Sequence, residues 1–189
     1  MIKSGLALAF LLRDSAEIAS ELASLLSLLV RLADSYATVN KSLRWLASKD
    51  LIKLEGVKTK TVQIELSNRE LWDKALPMFV SPIEQLHYTD ALLEGLMVSG
   101  VNALASYTML NEESRQCWAI TKKELKNLDV VTDEQFGENE IQVWKYNPKM
   151  LSTEGVVDKL SLYLSLKDNE DERIQIELER LINAMYNCC

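Results

Sequence analysis

One histidine, His87, and three cysteines, Cys117, Cys188 and Cys189, are the only imidazole and thiol groups in this 189-residue chain. A structural zinc needs four such ligands gathered at one point, and the adjacent Cys188 and Cys189 have no second pair to complete a shell. The odd cysteine count does not make a disulfide framework, so reduced thiols are expected. The terminal pair also lacks the spacing of a prenylation signal. Long apolar runs are missing too, since no window approaches the ~20 residues needed to span a bilayer. Gly5 to Leu12 follows Lys3 as the core of a signal peptide would, but it is short, is closed by Arg13-Asp14, and has no small-residue cleavage site after it. A cytoplasmic protein without membrane association is the expectation.

Catalytic signatures are likewise missing. There is no G-x-S-x-G, P-loop, dinucleotide fingerprint or H-E-x-x-H, and no carboxylate pair after a Gly-Ser turn as a nucleotidyltransferase requires. His87 could serve as a general base, but no nucleophile or orienting partner can be named for it, and a structural hydrogen-bonding role beside Tyr88 is the simpler reading. Asp168 to Glu172 lacks the central Gly and distant Glu of a calcium loop and reads as a solvated helix cap. No enzyme activity, cofactor or metal is expected.

What is present is ordinary globular composition, 48% hydrophobic and 26% charged, on a length that fits one or two domains. The net charge of -7 argues against nucleic acid when taken alone, because duplex affinity comes largely from neutralised phosphates. Its distribution argues differently. Arg31, Lys41, Arg44, Lys49, Lys53, Lys58 and Lys60 face only Asp34, Asp50 and Glu55 between residues 31 and 60, a local +4 that leaves -11 for the rest. After Leu76 the chain carries ten Lys or Arg against 19 Asp or Glu. One basic face on an acidic protein is compatible with DNA binding by that face alone.

The basic stretch is patterned. An apolar helical region, with Ile18, Leu22, Leu25, Leu26 and Leu29 at helical spacing, leads to the turn Leu32 to Ser35 and forms either core or a dimer seam. Ser35 then caps a helix that turns Val39, Leu43 and Leu46 inward and Tyr36, Asn40, Lys41 and Arg44 outward. Asn pairs with adenine edges, Arg with guanine edges, and Lys and Tyr reach phosphates. Leu51 to Glu55 and Thr61 to Leu66 alternate as strands around the basic turn Gly56 to Lys60, which places Lys58 and Lys60 at the tip of a wing. Helix, turn, capped helix and hairpin make a winged helix-turn-helix over residues 1–78, and Tyr36, Thr38, Asn40, Lys41, Arg44, Lys58 and Lys60 are the candidate contacts to double-stranded DNA. A second reading has the same surface docking a protein rather than DNA.

Ser67 and Glu70 form a capping box for a further helix to Leu76, and Pro77 to His87 reads as the connection between domains. Residues 86–189 mix elements, so the fold class is α+β: a winged helix domain followed by a mixed α/β domain that serves as an effector or partner module. Ser99 to Leu110 reads as a helix, and Cys117 to Thr121 and Glu140 to Tyr146 as strands. Leu160 to Leu166 alternates as a strand, yet Asp158 could cap a helix there, and both readings stay open. Asn169 to Glu172 reads as a capping box for a final helix with Ile174, Leu178, Leu181 and Met185 on one stripe.

Ser35 to Leu46, continuing through Leu51-Ile52, resembles the recognition helix and wing of bacterial MarR-like winged-helix regulators. Ser99 to Tyr107 and Val157 to Leu166, with Arg173 and Glu177 beyond, resemble the C-terminal domain of AbiEi-type antitoxins. The resemblance implies a winged helix that binds the promoter of its own operon and a second domain that accompanies or counters a nucleotidyltransferase-like toxin, the candidate protein partner; a homodimer is expected because one recognition helix rarely supplies enough specificity alone. The acidic second domain departs from the basic surface which that family carries there.

Overall fold

The computed structural model describes residues 36–56, 61–152 and 154–187. The expected helices before Tyr36, the cap at Ser35 and the wing lysines Lys58 and Lys60 therefore lie outside the described residues. The chain is α+β and divides into two compact units on either side of Val80-Ser81.

In the first unit, helix α1 (Tyr36–Ala47) buries Val39, Leu43 and Leu46, the three positions that share one helical face. Its end is built by hydrogen bonds from Leu51 N to Leu46 O (3.2 Å) and from Asp50 N to Ala47 O (3.0 Å). This is the Schellman arrangement, with Asp50 in the left-handed region at φ 53° and the flanking Leu46 and Leu51 both buried. Lys74 Nζ donates to the Asp50 carbonyl at 2.9 Å and ties the turn to the next helix. Strands β1 (Lys53–Glu55) and β2 (Thr61–Gln63) pair antiparallel with Leu54 opposite Val62, shorter than the alternation had suggested. Helix α2 (Asn68–Ala75) starts at the expected capping box, in which Ser67 and Glu70 each accept the other's backbone N–H. Trp72 and Phe79 are buried with ring centroids 5.7 Å apart.

The second unit is a four-stranded sheet of β3 (Ile83–Thr89), β4 (Met97–Val98), β5 (Cys117–Thr121) and β6 (Asn139–Trp144) in the order β3-β6-β5-β4. The central pair β5–β6 is parallel, which requires a crossover, and the outer pairs are antiparallel. Helix α3 (Gly100–Ala105) lies between β4 and β5, α4 (Lys122–Asn127) begins the crossover, and α5 (Lys159–Leu166) and α6 (Glu172–Asn187) follow the sheet. Alternation sorts the faces. Ala119 and Trp144 join Leu104, Leu162, Leu178 and Leu181 of the helices on one side, while Trp118, Ile120, Ile141 and Val143 meet Leu93, Leu125 and Leu128 on the other.

Several expectations are corrected here. The supposed connector Pro77 to His87 holds most of β3, whose outer edge is closed at Tyr88 by a bridge to Asp133. The helix expected to reach Leu110 stops at Ala105, freeing Tyr107 to donate from its hydroxyl to Val157 O at 2.9 Å. Leu160 to Leu166 is helical: Asp158 accepts from Ser161 N, and a helix with leucines on opposite sides is stable because Leu160, Leu162, Leu164 and Leu166 are all buried. The last helix has no Asn169–Glu172 capping box, since Asp171 accepts from Arg173 N at 2.9 Å instead. Among the described residues no helix is long and apolar enough to cross a membrane.

Two backbone positions give tests. Asp50→Gly relieves the left-handed strain and should raise the urea midpoint of the first unit by about 1 kcal/mol equivalent. At Gly137, φ 155°, an added Cβ would lie 2.6 Å from Thr89 N and 2.8 Å from Tyr88 Cβ. Gly137→Ala should therefore cost the second unit about 1–3 kcal/mol in the same measurement.

Candidate nucleic-acid interface

Burial of Val39, Leu43 and Leu46 leaves the opposite side of α1 to solvent, so the helix period itself positions the candidate contacts. Lys41 and Arg44 are exposed one turn apart, and Asn40 is half-buried beside them. Tyr36 and Thr38 lie in the first turn of α1, but their side chains are outside the described set. Lys49, exposed just past the helix end, extends the basic side, and Ser42 is buried although it is polar.

Electrostatics decide whether these cations are available. In the first unit the ion pairs among the described residues are Lys53–Glu65 and Arg69–Asp73, and Glu55 accepts from Gln63 Nε2 at 2.8 Å. Lys41, Arg44 and Lys49 have no ion-pair partner among the described residues, and neither Asp50 nor Glu55 reaches them. Lys53, counted within the basic stretch, is by contrast paired on the hairpin.

The second unit holds a polar row that the sequence did not advertise. Ser99 Oγ and Trp144 Nε1 both donate to Gln142 Oε1, at 2.8 and 3.2 Å, and Gln142 Nε2 donates to Glu140 Oε1 at 2.9 Å. Cys117 Sγ lies 3.5 Å from the same Glu140 oxygen. Burial, and then the Glu140 carboxylate, push the Cys117 thiol well above its ordinary range, so it is a protonated donor rather than a nucleophile. The row is a satisfied network between sheet and helices. Its sequence trace is the alternation of Glu140 and Gln142 with Ile141 and Val143 along β6.

His87, half-buried on β3, makes no side-chain hydrogen bond among the described residues, so the structural bonding role expected for it is absent there. A cavity of about 220 Å³ is lined by Val101, Leu110, Glu112, Glu113, Asp171 and Arg173, without His87 or Tyr107. Arg173 is committed to Asp171 through Nη2–Oδ2 at 2.7 Å and Nε–Oδ1 at 3.2 Å. Among the described residues no group of three or more His, Cys, Asp or Glu is arranged to hold a metal. Comparison with protein-family models, with curated proteins and with solved structures finds no match to this chain.

The raised thiol pKa has a sign that can be checked. The stability it contributes is fully present below the ordinary thiol pKa and is lost as pH rises toward the folded value. The excess urea midpoint of the native chain over Cys117→Ala should therefore shrink between about pH 7 and about pH 10.

Proposed function

We propose that the protein is a cytoplasmic DNA-binding transcription regulator, with the first unit a winged helix-turn-helix. The observation that carries it is the solvent side of α1, where Lys41 and Arg44, with Lys49 just past the helix end, are exposed and unpaired among the described residues while the apolar side is buried. A helix followed directly by an antiparallel hairpin supports the winged-helix reading, and Lys58 and Lys60 belong to the connection between those strands. In this reading Asn40 and Arg44 read base edges in the major groove, Tyr36, Thr38 and Lys41 hold the flanking phosphates, and the wing lysines reach the next phosphate or the minor groove. Repression follows from occupying an operator as a homodimer, because one recognition helix supplies too little specificity alone. The acidic second unit then serves partner binding, and an autoregulating antitoxin facing a toxin protein is the particular form that the AbiEi-type resemblance suggests.

The test is binding to a DNA fragment from upstream of the protein's own coding sequence, measured at several salt concentrations. Lys41→Ala should weaken binding across sequences and reduce the salt slope by about 1. Arg44→Ala should cost about 1–3 kcal/mol and relax preference at one base position. Binding that ignores both substitutions would remove the recognition role from α1.

A further inference from the structure

The end of the sheet where β3 finishes and β6 begins carries a feature that DNA binding does not use. Leu92, Val131 and Phe136 are 77%, 89% and 74% exposed, among the most exposed large apolar side chains of the described residues. They sit on two segments, 89–96 and 128–138, that hydrogen bonds bind together. Tyr88 N donates to Asp133 O at 2.7 Å and Asp133 N returns a bond to Tyr88 O at 2.9 Å. Thr89 Oγ1 donates to Val131 O (2.8 Å), Glu138 N to Asp90 Oδ1 (3.0 Å) and Asn139 Nδ2 to Ala91 O (3.2 Å). Asp133 Oδ1 accepts from Gln135 N and Phe136 N, which holds its carboxyl below the ordinary range and fixes the turn that presents Phe136. Gly137 packs its backbone against Tyr88 and Thr89 too closely for any Cβ. These side chains are thus held outward on an ordered frame, and a partner would not have to order it on binding.

The charge around them has one sign. Segments 89–96 and 128–138 contain Asp90, Glu94, Asp129, Asp133, Glu134 and Glu138, all exposed, and no Lys, Arg or His. The nearby Arg115 lies over the Tyr88 ring at 5.6 Å and donates to the carbonyls of Glu138 and Gly137, while Lys126, the next lysine along the chain, belongs to α4. Six exposed carboxylates against the single guanidinium of Arg115, which is engaged on Tyr88 and on two carbonyls, select against acidic partners and against nucleic acid, and favour apolar side chains flanked by lysine or arginine.

From this complementarity we infer that Leu92, Val131 and Phe136 form a docking surface for a basic amphipathic segment of a partner protein. The inference is independent of the DNA-binding reading. It would give the second unit a positively charged partner whether or not the first unit touches an operator.

The experiment uses the full chain and three fluorescent synthetic peptides, each about five helical turns long. One is made of lysine and leucine at helical amphipathic spacing, one has the same composition in scrambled order, and one has every lysine replaced by glutamate. The first should bind, weaken with added salt, and outcompete the other two. Val131→Ser with Phe136→Ser should lower its affinity about tenfold or more, and Asp129→Asn with Glu134→Gln should lower it and flatten the salt dependence. Asp90 and Asp133 are left intact because they hold the frame. Met109→Ser with Ile176→Ser, exposed apolar positions outside these segments, should leave affinity unchanged. All substituted side chains are exposed, and circular dichroism on each variant verifies that the fold is kept. Absence of binding to the native chain, equal binding of the glutamate peptide, or indifference to the Val131/Phe136 pair would each overturn the inference. So would self-association abolished by Phe136→Ser, which would make the occupant a second copy. Operator binding measured on the same variants should be unchanged, so the two readings fail separately.

Discussion

Burial of the parallel β5–β6 ladder on both faces is the constraint on which the second unit depends. A parallel pair needs a crossover, and a sheet with two covered faces needs apolar side chains on both. Trp118, Ile120, Ile141 and Val143 meet the crossover side, and Ala119 and Trp144 meet the helices. Into that apolar setting the chain places Cys117, Glu140 and Gln142 on the helix side, where a polar atom without a partner would cost about 1–3 kcal/mol. The hydrogen bonds from Ser99 and Trp144 to Gln142 and from Gln142 to Glu140 meet that demand. They are also directional, which fixes Ser99, at the start of α3, over β6 more tightly than apolar packing alone would.

The first unit rests on a smaller device. The turn at Asp50 sets the direction in which the chain leaves α1, and the buried Leu46 and Leu51 on either side lock it. That turn delivers β1 next to the helix and keeps the basic side of α1 in solvent. Apolar anchoring and cation display are therefore two consequences of one helix period. The two units divide the chemistry by charge, with cations on α1 that are unpaired among the described residues and exposed apolar side chains among carboxylates at the end of the second sheet.

How much of this was legible varied with the kind of signal. The α1 face, the Ser67–Glu70 capping box and strand Cys117–Thr121 follow from local spacing, and the structure has them. β3 was missed because Pro77 and Pro82 look like linker punctuation. Its residues Glu84, Gln85 and Leu86 are all exposed on an edge and show no alternation. The capping box at Thr121 and Glu124 was overlooked for the opposite reason, as it directly abuts a strand whose pattern dominates the window.

The amino-acid sequence by itself determined the α+β class, the inward face of α1, the separation of charge between the two halves and the lack of familiar catalytic motifs. Those properties are carried by composition and by periods of a few residues. Tertiary structure alone decided that Leu160 to Leu166 is helical, that Gln142 has partners, that Arg173 and Lys53 are already engaged, and that Leu92, Val131 and Phe136 share one frame. Each of these depends on what residues distant in the chain bring alongside. Burial of all four leucines makes the leucine-rich helix stable, and only the folded sheet brings residues 89–91 against residues 131–139.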